Sequence, residues 1–574
     1  MGAYDKELER WLTRATADPD LIEELESIKD DEKAVEDRFF KSLEFGTGGL
    51  RGVLGAGTNR MNVYTVGQAT QGLADVLNAV KPDNAVAIGY DSRIKSDRFA
   101  AHAAGVLAAN GVRVYLYREL MPTPMISFAV RRLRCDSGIV ITASHNPSKY
   151  NGYKCYDRRG YQMTDADALA TYNAISKVDL FDGVKCMALD EALEKGLVSY
   201  IGDDLIEAFY EEILALQPDP GIFDEVDLKL IYSPLNGTGN KPVREVLRRI
   251  GVKDLRVVES QERPDGTFPT CPFPNPEIRQ VFEEGLKMTA DFPADLIIAT
   301  DPDCDRVGIA VRHDGAYQLM TGNEVGCMLT QYLLERRQAK GTLPEKPVIV
   351  KSIVTSELIR MIADDFGGET ANVLTGFKYI GELVEKLDNA GEADRFILGL
   401  EESYGYLSGT HAREKDAVNA SMLIAEMAAY YKKQGRDLTQ VMAELYEKYG
   451  LYLNTLLNFV FEGADGMRKM QGMMDDLRAN APRTVGPLAV LSVSDYLTRE
   501  TADLKTGAKT PIDLPKSNVL SYALEGGSGV VVRPSGTEPK IKVYLTAVAP
   551  DAEAAQRLTD ALGADMKAKM GIEE

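Results

Sequence analysis

Apolar residues recur at helical spacing between charged positions through residues 1 to about 44, and predict two amphipathic helices with no chemistry of their own. Beyond them the period changes. Ala85–Tyr90 reads as a strand, Ser96–Asn110 as a helix, Val112–Tyr117 as a strand and Gly138–Ile141 as another. The alternation restarts near 228, with strand Leu228–Tyr232, the turn Asn236-Gly-Thr-Gly239, helix Pro242–Ile250 and the apolar run Asp295–Thr300. It restarts again near 348, with strand Val348–Val350, a helix over Glu357–Phe366 and a strand over Arg395–Leu400. The tail differs: short strands Val519–Leu524, Gly529–Arg533 and Ile541–Ala547 precede a helix over Asp551–Met570. Between them, roughly 450 to 518, Pro, Gly and charge mix, as in Asp503–Pro515, and the stretch reads as carrying a linker. Three α/β units followed by a small α+β unit are expected, each α/β unit with a notable loop at a strand's end. No residue-level repeat relates the three.

Composition narrows the class. The chain has 574 residues, too many for one core. Hydrophobic content of 44% and charged content of 27% describe an ordinary globular protein. Acidic residues outnumber basic ones, 87 to 66, for a formal charge of −21. That balance argues against nucleic acid or an anionic membrane as partner, since both need a cationic face. The first residues lack the apolar core of a signal peptide, and no apolar run is long enough to span a bilayer. Six cysteines are scattered without a Cys-x-x-Cys pair, as reduced thiols would be, and four histidines make a His-rich metal centre improbable. A cytoplasmic protein is expected.

Five stretches could carry chemistry. The first is Thr142-Ala-Ser-His-Asn-Pro-Ser-Lys-Tyr-Asn-Gly-Tyr-Lys154, directly after the apolar run Gly138–Ile141. Asn146-Pro147 and Asn151-Gly152 are turn dipeptides, so a structured loop is expected, with Ser144 lifted out of the strand end beside His145. Read alone, a serine before Asn-Pro is most often a turn cap. A serine hydrolase is disfavoured, because no Gly-x-Ser-x-Gly elbow is present. The second is Phe45-Gly-Thr-Gly-Gly-Leu-Arg-Gly52, a flexible turn or a phosphate approach by backbone amides and Arg51.

The third, Asp301-Pro-Asp-Cys-Asp-Arg306, sets three carboxylates at alternate positions after a strand. Bare, they would repel, so a bound hard cation such as Mg²⁺ is the simplest stabiliser. An EF-hand fails, since Arg306 and Arg312 stand where that loop needs glycine and glutamate. Asp303-Cys-Asp-Arg-Val307 also fits the nucleophile motif of haloacid-dehalogenase-type phosphatases, in which an aspartate (here Asp303) would carry phosphate. The fourth, Gly399-Leu-Glu-Glu-Ser-Tyr-Gly405, offers Glu401 and Ser403 to a vicinal diol, or is a common surface turn. The fifth, Arg533-Pro-Ser-Gly-Thr-Glu-Pro539, is either hairpin turn chemistry or an anion cradle.

The Ser144 loop resembles the phosphoserine loop of the α-D-phosphohexomutases, the phosphoglucomutase and phosphomannomutase superfamily. Asp301–Arg306, Glu401–Ser403 and Arg533–Thr537 resemble that family's metal, sugar and phosphate loops, in the same order. The resemblance implies an α/β fold: three α/β domains with mixed, largely parallel sheets, plus a smaller C-terminal α+β domain. Expected divisions are 1–215, 216–325, 326–450 and 451–574. It implies that Ser144 carries a phosphate and, with Asp301, Asp303 and Asp305, ligates Mg²⁺. Arg51, His145 and Lys154 join the catalytic set, Lys154 as a base whose pKa is lowered by neighbouring cations. Substrate would meet Arg306, Thr375, Gly376, Lys378, Glu401, Ser403, Lys415, Arg533, Ser535, Gly536 and Thr537. The implied activity is an isomerase converting glucose 1-phosphate and glucose 6-phosphate through glucose 1,6-bisphosphate. Mannose and pentose phosphates are the alternatives, and a sugar-phosphate sensor lacking phosphoserine is a third class. A monomer or weak dimer fits.

Overall fold

The computed structural model describes residues 4–46, 48–461, 463–535 and 540–572. The first sheet holds β1 (Gly49–Val53), β2 (Ala85–Tyr90), β3 (Arg113–Leu116), β4 (Ser137–Ile141), β5 (Tyr150–Asp157) and β6 (Val198–Tyr200), in the order β1-β5-β4-β2-β3-β6. The second holds β7 (Lys229–Ser233), β8 (Asp254–Val257), β9 (Leu296–Thr300), β10 (Val307–His313) and β11 (Ala316–Met320), ordered β11-β10-β9-β7-β8. The third holds β12 (Val348–Ser352), β13 (Glu369–Val373), β14 (Phe396–Glu401) and β15 (Gly405–Leu407), ordered β13-β12-β14-β15.

These sheets share one topology that the residues do not advertise. In each, a central strand (β2, β7, β12) pairs in parallel with two others, and the second of those turns back as an antiparallel hairpin. The hairpins are β4–β5, β9–β10 and β14–β15. Their connecting loops are the Ser144, Asp301 and Glu401 loops, so three of the five stretches occupy equivalent places. Each loop also contains a non-glycine residue with positive φ: Ser144 at 52°, Cys304 at 53° and Tyr404 at 68°. Left-handed backbone at such residues is uncommon and collects at functional turns.

The fourth sheet is antiparallel throughout. It contains β16 (Leu451–Val460), β17 (Thr484–Val485), β18 (Leu488–Asp495), β19 (Glu500–Asp503), β20 (Lys509–Pro511), β21 (Leu520–Leu524), β22 (Gly529–Pro534) and β23 (Lys540–Ala549). The helices Gly463–Ala479 and Ala552–Lys569 belong to the same unit. The stretch 450–518 is therefore not a linker: β16 runs antiparallel to β23 over ten residue pairs. Leu453, Leu457 and Phe459 alternate with Asn454 and Asn458, but apolar Leu456 and Val460 on the more exposed face break the pattern, which hid it as a strand.

Three other expectations change. The N-terminal segment forms three helices, α1 (Asp5–Arg14), α2 (Pro19–Ile28) and α3 (Glu32–Phe39). Pro19 opens α2 at its first turn, and Asp31 caps α3 by accepting from the amides of Lys33 and Ala34. The glycine-dense stretch is partly strand, since Arg51 lies on β1 opposite Gly152. Asn151-Gly152 likewise is no turn but part of β5, and Lys154 projects from that strand. Gly152 is required there: a Cβ would stand 2.4 Å from the Thr142 carbonyl oxygen.

One continuous apolar core runs through the first three units, from Ala85 to Tyr452. The helix Ala417–Lys433 is buried almost all round and packs against Asn240–Arg249 of the second unit. The fourth unit has its own core and meets the third through Tyr452 of β16, which reaches the shared core, and through a small cluster, Val354 with Val519, Val531 and Tyr544. Among the described residues, no helix is long and apolar enough to cross a membrane.

Candidate active site

The β4–β5 and β9–β10 hairpin loops face each other. Ser144 is 3% exposed, and its Oγ lies 3.0 Å from Asp301 Oδ2 and 3.1 Å from His145 Nδ1. The Ser144 amide donates to Thr142 Oγ1 at 2.8 Å, which holds the left-handed turn closed. Asp301, Asp303 and Asp305 are all buried, each with a carboxylate oxygen within 4.8 Å of the others'.

Three buried carboxylates need compensation, and Lys154 supplies part of it. Its Nζ donates to Asp303 Oδ2 at 2.8 Å and lies 3.1 Å from Asp305 Oδ2. Lys415 approaches the same Asp305 oxygen at 3.3 Å. Burial alone would push Asp305 up, but Lys154, Lys415 and Arg306 outweigh it and hold its pKa well below the usual range. Asp301 goes the other way: burial, then Asp303 and Asp305, push it well above. The cluster is short of positive charge on the Asp301 side.

The donor set fits a hard divalent cation. Asp303 Oδ1 and Asp305 Oδ1 are buried without a hydrogen-bond partner, and all the ligands on offer are oxygens. An ion among them would satisfy the orphaned oxygens and the Asp301 carboxylate together.

The lysine differs from expectation. Burial lowers the Lys154 pKa, but Asp303 and Asp305 more than reverse that, so the group is raised and not lowered. Its nearest partners are carboxylates, which the sequence stretch around it does not contain. His145 is pushed well below its ordinary value by burial and then by Arg306 and Arg51, and stays neutral. Although adjacent in sequence, it reaches the Ser144 hydroxyl. Its ring meets that of Phe273 edge-on at 6.1 Å.

The arginines flank this centre. Arg51 Nη1 is 3.4 Å from Asn146 Oδ1 of the serine loop. Arg306 pairs with Glu277 at 2.9 Å and lies 3.8 Å from Asp305.

The third unit contributes a second cluster. Glu401 ends β14, and its Oε1 accepts from the Gly376 amide at 2.7 Å, so the Thr375–Lys378 loop and the β14–β15 hairpin are tied together. Gly376 has a φ of 122°, which only glycine adopts freely. Thr375 Oγ1 is buried without a partner. Ser403 sits in the hairpin turn, half-buried. Lys415 lies across Gly405, where a Cβ would stand 2.2 Å from its Cδ, and bonds Glu414 at 2.9 Å. Lys378 is drawn elsewhere: its Nζ bonds Asp165 of the first unit at 2.6 Å, a partner that no local pattern announces.

Arg533 lies on β22 opposite Lys542 of β23, and near Tyr544 and Tyr379. The Ser535 amide donates to the Lys540 carbonyl at 2.7 Å. Gly536 and Thr537 lie outside the described residues. Burial, then Lys540 and Arg533, lower the Lys542 pKa, as in a patch of crowded cations.

Sequence reasoning missed several contributors. Thr123 clamps the metal loop, its Oγ1 donating to Asp303 Oδ2 at 3.0 Å and its amide to the Asp303 carbonyl at 2.9 Å. Glu414, next to the expected Lys415, is buried and bonded to both Tyr156 and Lys415. Lys542 stands beyond the Arg533–Pro539 stretch in sequence and comes opposite Arg533 only through the β22–β23 pairing.

Four family models match in order: phosphoglucomutase/phosphomannomutase alpha/beta/alpha domain I over residues 42–181, domain II over 207–315, domain III over 321–449 and the C-terminal domain over 494–563. A phosphoglucomutase of Staphylococcus aureus (strain MRSA252) is 36% identical over 555 residues, covering 96% of this chain and 97% of its own. One of Staphylococcus haemolyticus is 35% identical, covering 89% and 91%. Among solved structures, a putative phosphomannomutase from Thermus thermophilus superposes with a TM-score of 0.68 at 23% identity, over 92% of this chain and 99% of its own. Parafusin, a Paramecium phosphoglucomutase in its open form, superposes at 0.66 with 18% identity, over 93% and 95%. Those last two speak for the fold; with the matched domains and the staphylococcal relatives, they make this chain a member of the phosphoglucomutase/phosphomannomutase family.

Proposed function

We propose that the chain is a phosphoglucomutase, an isomerase that interconverts glucose 1-phosphate and glucose 6-phosphate. The observation that carries the reading is the buried Ser144 hydroxyl 3.0 Å from Asp301, within a carboxylate cluster short of positive charge. Relatives named phosphoglucomutase over almost the whole chain supply the substrate class. Each of the four sheets centres one domain, with divisions near 215, 325 and 450. The dehalogenase-type alternative would leave the buried Ser144 hydroxyl without a role, and the relatives matched over almost the whole chain are named phosphoglucomutase.

In the resting enzyme Ser144 Oγ bears a phosphate. The free hydroxyl of a bound sugar monophosphate attacks that phosphorus; the new P–O bond forms as the bond to Ser144 Oγ breaks. Mg²⁺, held by Asp301, Asp303, Asp305 and a phosphoserine oxygen, would supply charge stabilisation to the transferring oxygens. Ser144 Oγ takes up, as it leaves, the proton that the attacking hydroxyl gives up, and neutral His145, 3.1 Å away, can accept that proton from the serine hydroxyl when the bisphosphate returns its phosphate. Lys154 can take the hydroxyl proton only once its hold on Asp303 and Asp305 is relaxed. Arg51 and Arg306 add positive charge at the rim.

The product of the first transfer is glucose 1,6-bisphosphate, which turns within the site and returns its other phosphate to Ser144. Glu401 and Ser403 grip a 3,4-diol that can be presented from either end, with Thr375, Gly376 and Lys415 around the sugar and Lys378 able to join them once it leaves Asp165. Arg533, Ser535, Gly536 and Thr537 hold the phosphate that does not react. The setting is the cytoplasm, and glucose 1,6-bisphosphate also primes unphosphorylated enzyme.

The test has two arms. Phosphopeptide mapping should find acid-stable phosphate on Ser144, absent from Ser144→Ala together with the activity; hydroxylamine-labile phosphate on Asp303 would refute the scheme. A coupled assay on glucose 1-phosphate, mannose 1-phosphate and ribose 1-phosphate should rank glucose first.

A further inference from the structure

Arg93 has no part in the scheme above, yet it is fully buried at the back of the serine loop. Its Nη1 donates to the carbonyls of Pro147 and Tyr150, each at 3.0 Å. Its Nη2 donates to the carbonyls of Ser144, at 2.5 Å, and Asn146. One guanidinium thus gathers four carbonyls from the seven residues that follow Ala143, and takes the place of a regular hairpin ladder. Asp91 sits beside it at 3.3 Å, accepts from the Arg93 amide and from Ser96 Oγ, and balances the charge. Ser96 in turn accepts from Asn151, at the start of β5.

The second unit closes over the same group. The Arg93 guanidinium lies over the Phe268 ring at 5.0 Å. Gly266 presses so near that a Cβ would stand 2.4 Å from the Ile94 nitrogen and 2.8 Å from the Arg93 carbonyl carbon. The segment 263–277 then continues to Phe273, against His145, and to Glu277, against Arg306. Arg93 is therefore held from the sheet side by Asp91 and from the second unit by Phe268, while all its Nη contacts go to the loop that presents Ser144.

We infer that Arg93 is a positioning residue for phosphoryl transfer: it locks the backbone of residues 144–150 so that Ser144 Oγ stays over Asp301. The inference rests on Ser144 being the phosphate carrier. A planar fork with five N–H donors can span four carbonyls; a lysine in the same place would keep the charge against Asp91 but reach fewer of them. A loop loosened by about 1 Å misplaces the reacting oxygen without altering the surfaces that bind sugar and distal phosphate.

Arg93→Lys and Arg93→Met would be compared with wild type and Ser144→Ala for melting temperature, kcat, KM and the rate at which glucose 1,6-bisphosphate loads acid-stable phosphate onto Ser144. Expected is a roughly hundred-fold fall in kcat and in loading rate for both variants, with KM for glucose 1-phosphate within about three-fold of wild type. Arg93→Lys should recover less than a tenth of the wild-type rate while keeping a cooperative melt. A folded Arg93→Lys that loads Ser144 at the wild-type rate, or a fall in kcat matched by an equal rise in KM, overturns the positioning role. Loss of the cooperative melt in both variants also overturns it, because Arg93 would then serve the fold alone. Absence of phosphate from wild-type Ser144 is a different failure, that of the carrier reading.

Discussion

Ser144 Oγ and Asp301 Oδ2 are 3.0 Å apart although 157 positions separate them, and each sits on the hairpin loop that ends the parallel part of its own sheet. Two equivalent loops from two topologically matching units thus meet face to face, one with a hydroxyl and one with three carboxylates. The left-handed turn at Ser144 aims the hydroxyl.

That turn makes the first prediction. Ser144→Thr keeps a hydroxyl, but a β-branched residue at φ near 52° is strained by roughly 1–3 kcal/mol. The loop should relax away from Asp301, so that turnover falls roughly ten- to a hundred-fold while phosphate can still be detected on the threonine. A coupled assay with phosphate mapping checks both halves. Wild-type turnover by the threonine variant would show that the turn does not aim the hydroxyl.

Lys154 leads to the second. As the cation nearest Asp303 and Asp305, it does part of the work that a divalent ion would do. Removing one member of a buried ion pair costs about 3–5 kcal/mol, because the remaining charges stay uncompensated. Lys154→Met should therefore melt well below wild type in EDTA and recover more of its stability than wild type does when Mg²⁺ is added. Calorimetric melts of both proteins, with and without the ion, decide it; equal Mg²⁺ shifts would remove the coupling between lysine and metal site.

Much of this was legible in advance, for a particular reason. The strands β2, β4, β9 and β14 are continuous apolar runs because both faces are covered, and each chemical loop follows one directly. What could not be read was pairing at a distance. Nothing near Lys154 signals Asp303 and nothing near Lys378 signals Asp165, so local sequence points to a lowered Lys154 pKa where the carboxylates raise it, and to sugar where Lys378 also meets a carboxylate. The strand β16 was hidden for a different reason: it is an edge strand with one face half-exposed, and its Leu456, Asn458 and Val460 follow no clean alternation of polarity.

A third prediction concerns a buried acid away from the site. Glu426, on the helix Ala417–Lys433, accepts from the Asp219 amide through Oε1, while its Oε2 is buried without a partner. Burial raises its pKa to about 8, against 4.5 ordinarily. Because the folded value is the higher one, this group's contribution to stability is full below about pH 4.5 and is lost as pH rises through 8. Glu426→Gln mimics the protonated form and has no such loss. Wild type and variant should melt close together near pH 4, and the variant's advantage should open between about pH 5 and 8 and reach the order of a few kcal/mol by pH 9. A gap that stays constant from pH 6 to 10 would mean that Glu426 is ionised throughout.

The last prediction separates the fourth unit from the other three. Arg533 stands on β22 opposite Lys542, on a sheet with its own core, and that sheet meets the third unit through Tyr452 at the start of β16 and the small Val354, Val519, Val531 and Tyr544 cluster. Contacts confined to β16 and one small cluster leave the Arg533 end free to hinge, which a bisphosphate that must turn round requires. If Arg533 holds the distal phosphate, its binding energy orients the reacting hydroxyl at Ser144 from another domain. Arg533→Ala should then lower kcat/KM for glucose 1-phosphate roughly ten- to a hundred-fold, as expected for a charge-assisted hydrogen bond worth about 1.5–3 kcal/mol. Metal binding and the phosphate already on Ser144 should be untouched, because Asp301, Asp303, Asp305 and Ser144 draw no hydrogen bond from the fourth unit among the described residues. Steady-state kinetics set beside intact-mass measurement reads both quantities on one sample. Unchanged kcat/KM would reduce the loop to a hairpin turn, and loss of the Ser144 phosphate would mean that the fourth unit shapes the serine site itself.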